Sequence, residues 1–244
     1  MLSSKDQERY HRQIIIEGWG EAGQARLKSA IVFIAGAGGL GSPVAFCLAA
    51  AGVGTIRICD SGKLELSNLN RQVLYTENDL TREKAAAAAE HLQSLNSGIR
   101  VEPLGGTITD ESAAGLIGEA DLIIDCLDNF EARYVLNRYA VKHKLPFIHA
   151  GISGLSGQMT FIHPPETPCL SCVFPEVPPG GVIPVAGATP GVIGSLEAME
   201  ALKFLTGMEV SLKGKLLLWE GDIQNFETIE LVRDEECPVC GQIA

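Results

Sequence analysis

Ala30-Ile31-Val32-Phe33-Ile34-Ala35 followed by Gly36-Ala37-Gly38-Gly39-Leu40-Gly41 is the stretch that decides the fold. The first six residues are apolar and contain β-branched side chains, which reads as a strand buried on both faces. The next six carry Gly36, Gly38 and Gly41 at G-x-G-x-x-G spacing, with Gly39 between them. Ser42 and Pro43 then suit the N-cap and first position of a helix, and Gly52 suits its stop. Strand, glycine turn and helix together are the context this fingerprint requires. Glycines let the backbone turn tightly and approach a phosphate, while the helix N-terminus supplies oriented N–H groups. Asp60 lies nineteen residues past Gly41. It ends the next apolar run, Thr55–Cys59, where a carboxylate accepts hydrogen bonds from ribose hydroxyls. The pattern specifies an adenosine nucleotide and leaves NAD and ATP both open.

Outward from this centre, residues 6–27 mix charges with apolar side chains and read as one or two short helices. Residues 81–95 are a strong helix, and further strands are expected at 99–104, Leu122–Asp125 and 147–150. Helices near 110–117 and Phe130–His143 separate them, so the alternation predicts a parallel doubly wound sheet. After Gly151 the character changes. Residues 158–163 alternate apolar and polar, 164–191 are rich in Pro and Gly, and 192–205 read as a helix. Two late strands, 216–220 and 228–232, are expected to be antiparallel. The fold class is therefore α/β, a Rossmann-like, mainly parallel sheet with C-terminal antiparallel strands. One domain over 1–244 is expected, with a nucleotide-binding half to about 150 and a partner-binding half beyond it.

Composition bounds the partners. A formal net charge of −11 argues against nucleic acid and anionic membranes, which need clustered Lys and Arg. Residues 29–56 hold no charge at all, long enough to span a bilayer, but six glycines and Pro43 punctuate them. They read as buried strand, turn and helix instead. The polar first ten residues lack the apolar stretch of a signal peptide, so a reducing cytoplasm without disulfides is expected.

Two features favour ATP over NAD. Ser67-Asn68-Leu69-Asn70-Arg71-Gln72 places a cation and amides just past the ribose-binding strand, and Lys84 follows. A triphosphate being cleaved needs cations because charge moves toward the leaving pyrophosphate. Each of Arg71 and Lys84 alone also reads as a solvated surface charge. Leu122–Asp125 then delivers carboxylates to the sheet edge where ligands bind. Asp128 there suits Mg²⁺, which prefers hard oxygen ligands, and equally suits the N-cap of the following helix. Asp125, inside the strand, reads as structural.

RYHRQ (9–13), GAGGLGS (36–42), AAGVG (50–54), SNLNRQ (67–72), REKA (82–85), DCLDN (125–129) and GVIGSLEAMEALK (191–203) carry a family resemblance. The chain resembles the MoeB/ThiF/HesA adenylyltransferases, the prokaryotic relatives of ubiquitin-activating enzymes. The resemblance implies ATP-dependent adenylation of the C-terminal glycine carboxylate of a ubiquitin-like sulfur-carrier protein ending in Gly-Gly. By that resemblance Asp60 binds ribose, while Asn68, Arg71 and Lys84 contact phosphates. Asp128 organises Mg²⁺ and the attacking carboxylate, and Arg12 reaches across a homodimer to the partner's ATP. An NAD(P)-dependent oxidoreductase leaves Arg71 and Lys84 unexplained. A tRNA-modifying relative on the same fold conflicts with the net charge, and a non-catalytic zinc-stabilised binding module has no use for the ATP-contacting set.

Cys169-x-x-Cys172 and Cys237-x-x-Cys240 are two knuckles sixty-four residues apart. Four thiolates in tetrahedral array form a closed structural zinc site, and each pair alone also fits a redox dithiol. The resemblance agrees with zinc. Cys47, Cys59 and Cys126 lie in apolar contexts and read as inert, and the five histidines show no metal-type spacing. Some relatives carry a cysteine between the first knuckle and the GVIGS helix. Residues 173–190 here contain none, so adenylation followed by a separate sulfur donor is expected. The prolines and glycines of that loop read as a flap over the carrier's tail. Many relatives also place a second acid two residues after the ribose Asp, where this chain has Gly62.

Overall fold

The computed structural model describes residues 2–176 and 183–241. Two helices, α1 (Ser4–Ile14) and α2 (Gly20–Ser29), precede β1 (Ile31–Ala35). Then α3 (Gly41–Ala51), β2 (Thr55–Cys59), α4 (Lys84–Leu95), β3 (Arg100–Leu104), α5 (Ala113–Ile117), β4 (Leu122–Asp125), α6 (Phe130–His143) and β5 (Phe147–Ser153) alternate. After them come β6 (Ser156–Ile162), the short α7 (Leu170–Val173), α8 (Ala188–Thr206), β7 (Lys215–Glu220) and β8 (Asn225–Glu230).

The strands form one sheet in the order β3-β2-β1-β4-β5-β6-β7-β8. The first five in that order are parallel, and β6, β7 and β8 are antiparallel. Successive side chains of a strand point to opposite faces, so an apolar run without alternation must be covered on both. In β1, Val32 and Ile34 join Leu48, Ile56, Leu92 and Ala198 on one face. Phe33 joins Ile117, Leu136 and Phe147 on the other. Helices α3, α4 and α8 therefore cover one side, and α5 and α6 the other. From β1 the chain runs outward to β2 and β3, then returns to β4 on the opposite side. That reversal opens a crevice beyond the C-terminal ends of β1 and β4, where ligands bind in such sheets.

Four local readings differ, the first being α8, which begins at Ala188 rather than 192 and takes Pro190 and Gly191 into its first turn. The glycine turn winds straight into α3, which begins at Gly41, so Ser42 is not its N-cap; the Ser42 hydroxyl donates to the Gly38 carbonyl at 2.7 Å. Helix α4 begins at Lys84 rather than Thr81, because residues 81–84 first run antiparallel to 62–64. Thr81 N–H bonds Leu64 O at 2.9 Å, and Leu64 N–H bonds Arg82 O at 2.9 Å. The last strand lies at 225–230 instead of 228–232, set by its pairing of Glu220 with Asn225. Among the described residues no helix is long and apolar enough to cross a membrane. The uncharged run 29–56 resolves into β1, the turn, α3 and the start of β2.

Candidate functional site

The crevice floor is the glycine turn. A Cβ on Gly36 would lie 2.6 Å from the Cys126 carbonyl oxygen, and one on Gly41 would lie 2.0 Å from the Gly36 carbonyl oxygen. No side chain fits at either place. The N–H groups of Gly38, Gly39, Leu40 and Gly41 make no hydrogen bond among the described residues. They form a cluster of free donors at the start of α3, the arrangement that receives phosphate. Asp60 faces it from the end of β2. Its Oδ2 accepts from Ala37 N–H and its Oδ1 from Gly62 N–H, both at 2.8 Å. Each carboxylate oxygen has two lone pairs, so acceptor capacity remains on both and faces the crevice.

The segment between β2 and α4 borders the crevice. Asn68 Oδ1 caps a short 3₁₀ turn through Glu65 N–H at 3.1 Å, and its side-chain amide group makes no bond among the described residues. Arg71 lies against Gly39, its Cδ 3.6 Å from where a Cβ there would be. Its guanidinium is braced by Ser67 O at 3.0 Å and Asn70 Oδ1 at 2.9 Å, and no carboxylate neutralises it among the described residues. The Lys84 ammonium sits over Gly62, 3.6 Å from where a Cβ there would be, and has no acidic partner among the described residues. Two cations that make no ion pair among the described residues thus border the free donors, Lys84 with the Asp60 carboxylate nearby.

Asp128 follows β4 on the other side. The N-cap of α6 is Asn129, whose side chain accepts from Ala132 N–H at 3.0 Å. That frees Asp128: its carboxylate is exposed, with only a long 3.5 Å contact to Asn129. Beneath it lies a buried charged cluster. Asp125 Oδ1 accepts Leu127 N–H at 3.0 Å, and Oδ2 meets His149 Nδ1 at 2.7 Å and Arg133 Nε at 3.2 Å. Arg133 also donates to the carbonyls of Leu127 and Ala150. Both backbone groups of Leu127 are therefore held, and the next residue, Asp128, is presented from a fixed loop. Burial pushes the His149 imidazole below its ordinary range. Burial, reinforced by Asp125, pushes the fully buried Glu197 carboxyl well above its own.

Arg12 is not brought to this crevice. Tyr10 packs on Gly52 and Gln13 bonds the Ala51 carbonyl at 2.7 Å, which anchors α1 at the C-terminal end of α3. The glycine turn is at the other end of that eleven-residue helix, about 16 Å away. Arg12 is exposed there and makes no ion pair among the described residues.

Cys169, Cys172, Cys237 and Cys240 converge away from the crevice, with all four sulfurs within 4.8 Å of one another. The Cys169–Cys237 and Cys172–Cys240 sulfurs are 3.7 and 3.4 Å apart, and Asn137 donates to the Cys169 sulfur at 3.6 Å. This cluster could hold a metal ion. The other three thiols are raised: burial takes Cys59 to about 11 and also lifts Cys47 and Cys126. Of the flap at 173–190, residues 177–182 lie outside the described residues. Its roots are tied: Tyr134 donates to Phe174 O at 2.6 Å, and Gly154 N–H to Pro184 O at 2.6 Å.

The ThiF family model matches residues 10–239. The chain belongs to the ThiF family. Within that wider family it is 42% identical to the sulfur carrier protein adenylyltransferase of Thermus thermophilus, over 98% of this chain and 92% of that protein. It is 39% identical to the heterocyst HesA protein of Trichormus variabilis, over 100% of this chain and 92% of the other. The structure of E. coli MccB with ATP superposes with a TM-score of 0.85 at 27% identity, over 98% of this chain and 75% of that one. In this ThiF-family chain, Arg133, His149 and Glu197 escape a reading of the sequence. Nothing in their spacing from Asp125 announces that three different elements bring them to one point.

Proposed function

We propose that this chain uses Mg-ATP to adenylate the C-terminal glycine carboxylate of a ubiquitin-like sulfur-carrier protein ending in Gly-Gly. The observation that carries the reading is the ring of groups around the crevice that are uncommitted among the described residues: four N–H donors without acceptors, Arg71 and Lys84 without ion pairs, and Asp128 without a cap to serve. Membership of the ThiF family and the likeness to a named sulfur-carrier adenylyltransferase support it.

The carrier's carboxylate oxygen attacks the α-phosphorus, the bond to the bridging oxygen breaks, and pyrophosphate leaves with the electron pair. The nucleophile is already ionised, so the work of the site is alignment and neutralisation of charge. Asp60 orients the ribose. The turn from Gly36 through Gly38 and Gly39 to Gly41 cradles phosphate with its N–H groups, and Asn68, Arg71 and Lys84 take the phosphate charge. Asp128, exposed and singly contacted, suits a magnesium ligand, and that ion neutralises phosphate oxygens when bound. Arg12, stranded at the far end of α3, serves the partner's site in a homodimer.

One adenylating domain then divides its labour, with nucleotide held by residues up to about 150 and carrier by the remainder. Zinc suits the cysteine cluster: a Zn–S length of about 2.3 Å gives tetrahedral S···S edges of about 3.8 Å, near the 3.7 and 3.4 Å separations of the Cys169–Cys237 and Cys172–Cys240 sulfurs. Residues 173–190 hold no cysteine, so the activated carrier passes to a separate sulfur donor. The reaction needs neither nucleic acid nor membrane, and a cytoplasmic setting accords with thiolates kept reduced for a metal.

Asp128→Ala is the direct test. Because the side chain is exposed, the variant is expected to keep its unfolding midpoint while losing carrier-dependent ATP–pyrophosphate exchange by at least about a hundredfold. Wild-type exchange in that variant would refute the assignment.

A further inference from the structure

Tyr75 belongs to no motif, yet its hydroxyl closes a circuit of hydrogen bonds around the crevice. The hydroxyl donates to the Ala37 carbonyl at 2.8 Å and lies 3.3 Å from the Lys84 carbonyl, a shared contact for one proton. Ala37 N–H donates to Asp60 Oδ2 at 2.8 Å. Lys84 N–H donates to Gly62 O at 3.0 Å, and Gly62 N–H returns to Asp60 Oδ1 at 2.8 Å. The path Asp60–Ala37–Tyr75–Lys84–Gly62–Asp60 is complete. It joins the phosphate-binding turn, the ribose acid and the first residue of α4. Only Asp60 and Tyr75 enter it through side chains.

Tyr75 is itself braced. It is 6% exposed, and its N–H bonds Gln72 O at 3.2 Å, one residue past Arg71. Burial, with the charges of Asp60 and Asp79 nearby, raises the phenol, so the proton that makes the bridge is retained. A buried donor shared by two carbonyls gives a stiff link, since moving either carbonyl leaves a buried polar group unpaired.

We propose that Tyr75 is a positioning residue for the nucleotide: its hydroxyl couples the glycine turn to the start of α4 and so fixes where Lys84 stands relative to the phosphates. The inference rests on the adenylation reading for the identity of the ligand. Lys84 makes no ion pair among the described residues; its ammonium lies over Gly62, in the space that the Asp60 carboxylate also borders. Its ammonium is aimed by the backbone from which it springs, and Tyr75 ties that backbone down. Without the hydroxyl, the turn would still offer its N–H groups and Asp60 would still meet the ribose. The outer phosphates would meet a looser cation.

The test is Tyr75→Phe, with Mg-ATP and AMP binding measured by calorimetry without carrier, alongside exchange kinetics. Mg-ATP binding is expected to weaken about fivefold to tenfold, the worth of one buried hydrogen bond, with KM for ATP rising in step. AMP binding and KM for the carrier are expected to stay within about twofold, since Lys84 serves the outer phosphates. In a Lys84→Ala background the same change is expected to have little further effect, because coupled residues are not additive. Equal weakening of AMP and ATP, or an unchanged ATP affinity in the folded variant, overturns the proposal. Tyr75→Met, which also removes the donor while keeping apolar bulk, carries the same comparison if the Phe variant does not fold. A wild-type protein that binds Mg-ATP but shows no carrier-dependent exchange sinks the adenylation reading and leaves the role of Tyr75 standing.

Discussion

Glu197 reaches from α8 into the buried cluster below Asp128, fully excluded from solvent, with neither carboxyl oxygen hydrogen-bonded among the described residues. Burial and the neighbouring Asp125 keep it protonated, against a smaller opposing pull from Arg133. An unfolded glutamate releases its proton near pH 4.3. Above that pH the unfolded chain binds fewer protons than the folded one, so stability falls as pH rises toward the raised folded value. Glu197→Gln, which is neutral at every pH, is expected to be more stable than wild type at pH 7 and to lose that advantage near pH 4. Urea unfolding at several pH values measures it. A less stable Gln variant at pH 7 would mean that Glu197 is ionised against Arg133. Asp60, Lys84 and Asp128 were legible in the sequence because each follows an element whose end is itself legible. Glu197 and His149 were not, because their chemistry appears only when α8 and β5 meet β4.

At the scale of elements, β1 and β4 show as continuous apolar runs because they are buried on two faces, whereas the edge strand β3, Arg-Val-Glu-Pro-Leu, is mostly not buried and carries no such run. Helix starts were read less well. The onset of α4 was masked by a strand-like pairing of 62–64 with 81–84, which no helix propensity reports. The onset of α3 was misplaced because Ser42 bonds backward to Gly38 instead of capping. The cysteine knuckles were visible from spacing, and the fold explains their separation: α8, β7 and β8 all lie between them. The cluster joins the two ends of that excursion. A purified chain is expected to hold about one zinc, and its removal by a strong chelator is expected to lower the unfolding midpoint by at least about 5 °C. Calorimetry and metal analysis check both. Lost exchange at an unchanged midpoint would instead place the metal in the chemistry.

For the whole molecule, the question is which nucleotide Arg12 touches. Its anchorage at the C-terminal end of α3 keeps it from its own crevice, so on the homodimer proposal each site is completed by a neighbour. Arg12→Ala and Asp128→Ala are each expected to be inactive alone. Mixed in equal amounts and allowed to exchange subunits, they are expected to recover about a quarter of wild-type exchange, because half the dimers are mixed and each has one whole site. No recovery after proven subunit exchange would show that Arg12 does not act in trans. The fold alone, read from one chain, locates this residue without revealing its purpose; the resemblance in RYHRQ supplied that idea.

The closeness of backbone to backbone around the glycine turn has a further consequence, for the speed of binding. Gly36 abuts Cys126, Gly41 abuts Gly36, and Gly187 at the start of α8 abuts Asn70, with no side chain between any of these pairs. The glycines at these contacts have no rotamers to settle when a ligand arrives, so the floor of the crevice is ordered once the chain has folded and only the side chains around it remain to be placed. On the adenylation reading, nucleotide arrival at this turn is expected to need no rearrangement of the turn's backbone. On the adenylation and homodimer proposals, the slow steps of the cycle are expected where separate chains must come together: at the carrier's tail and at the second subunit.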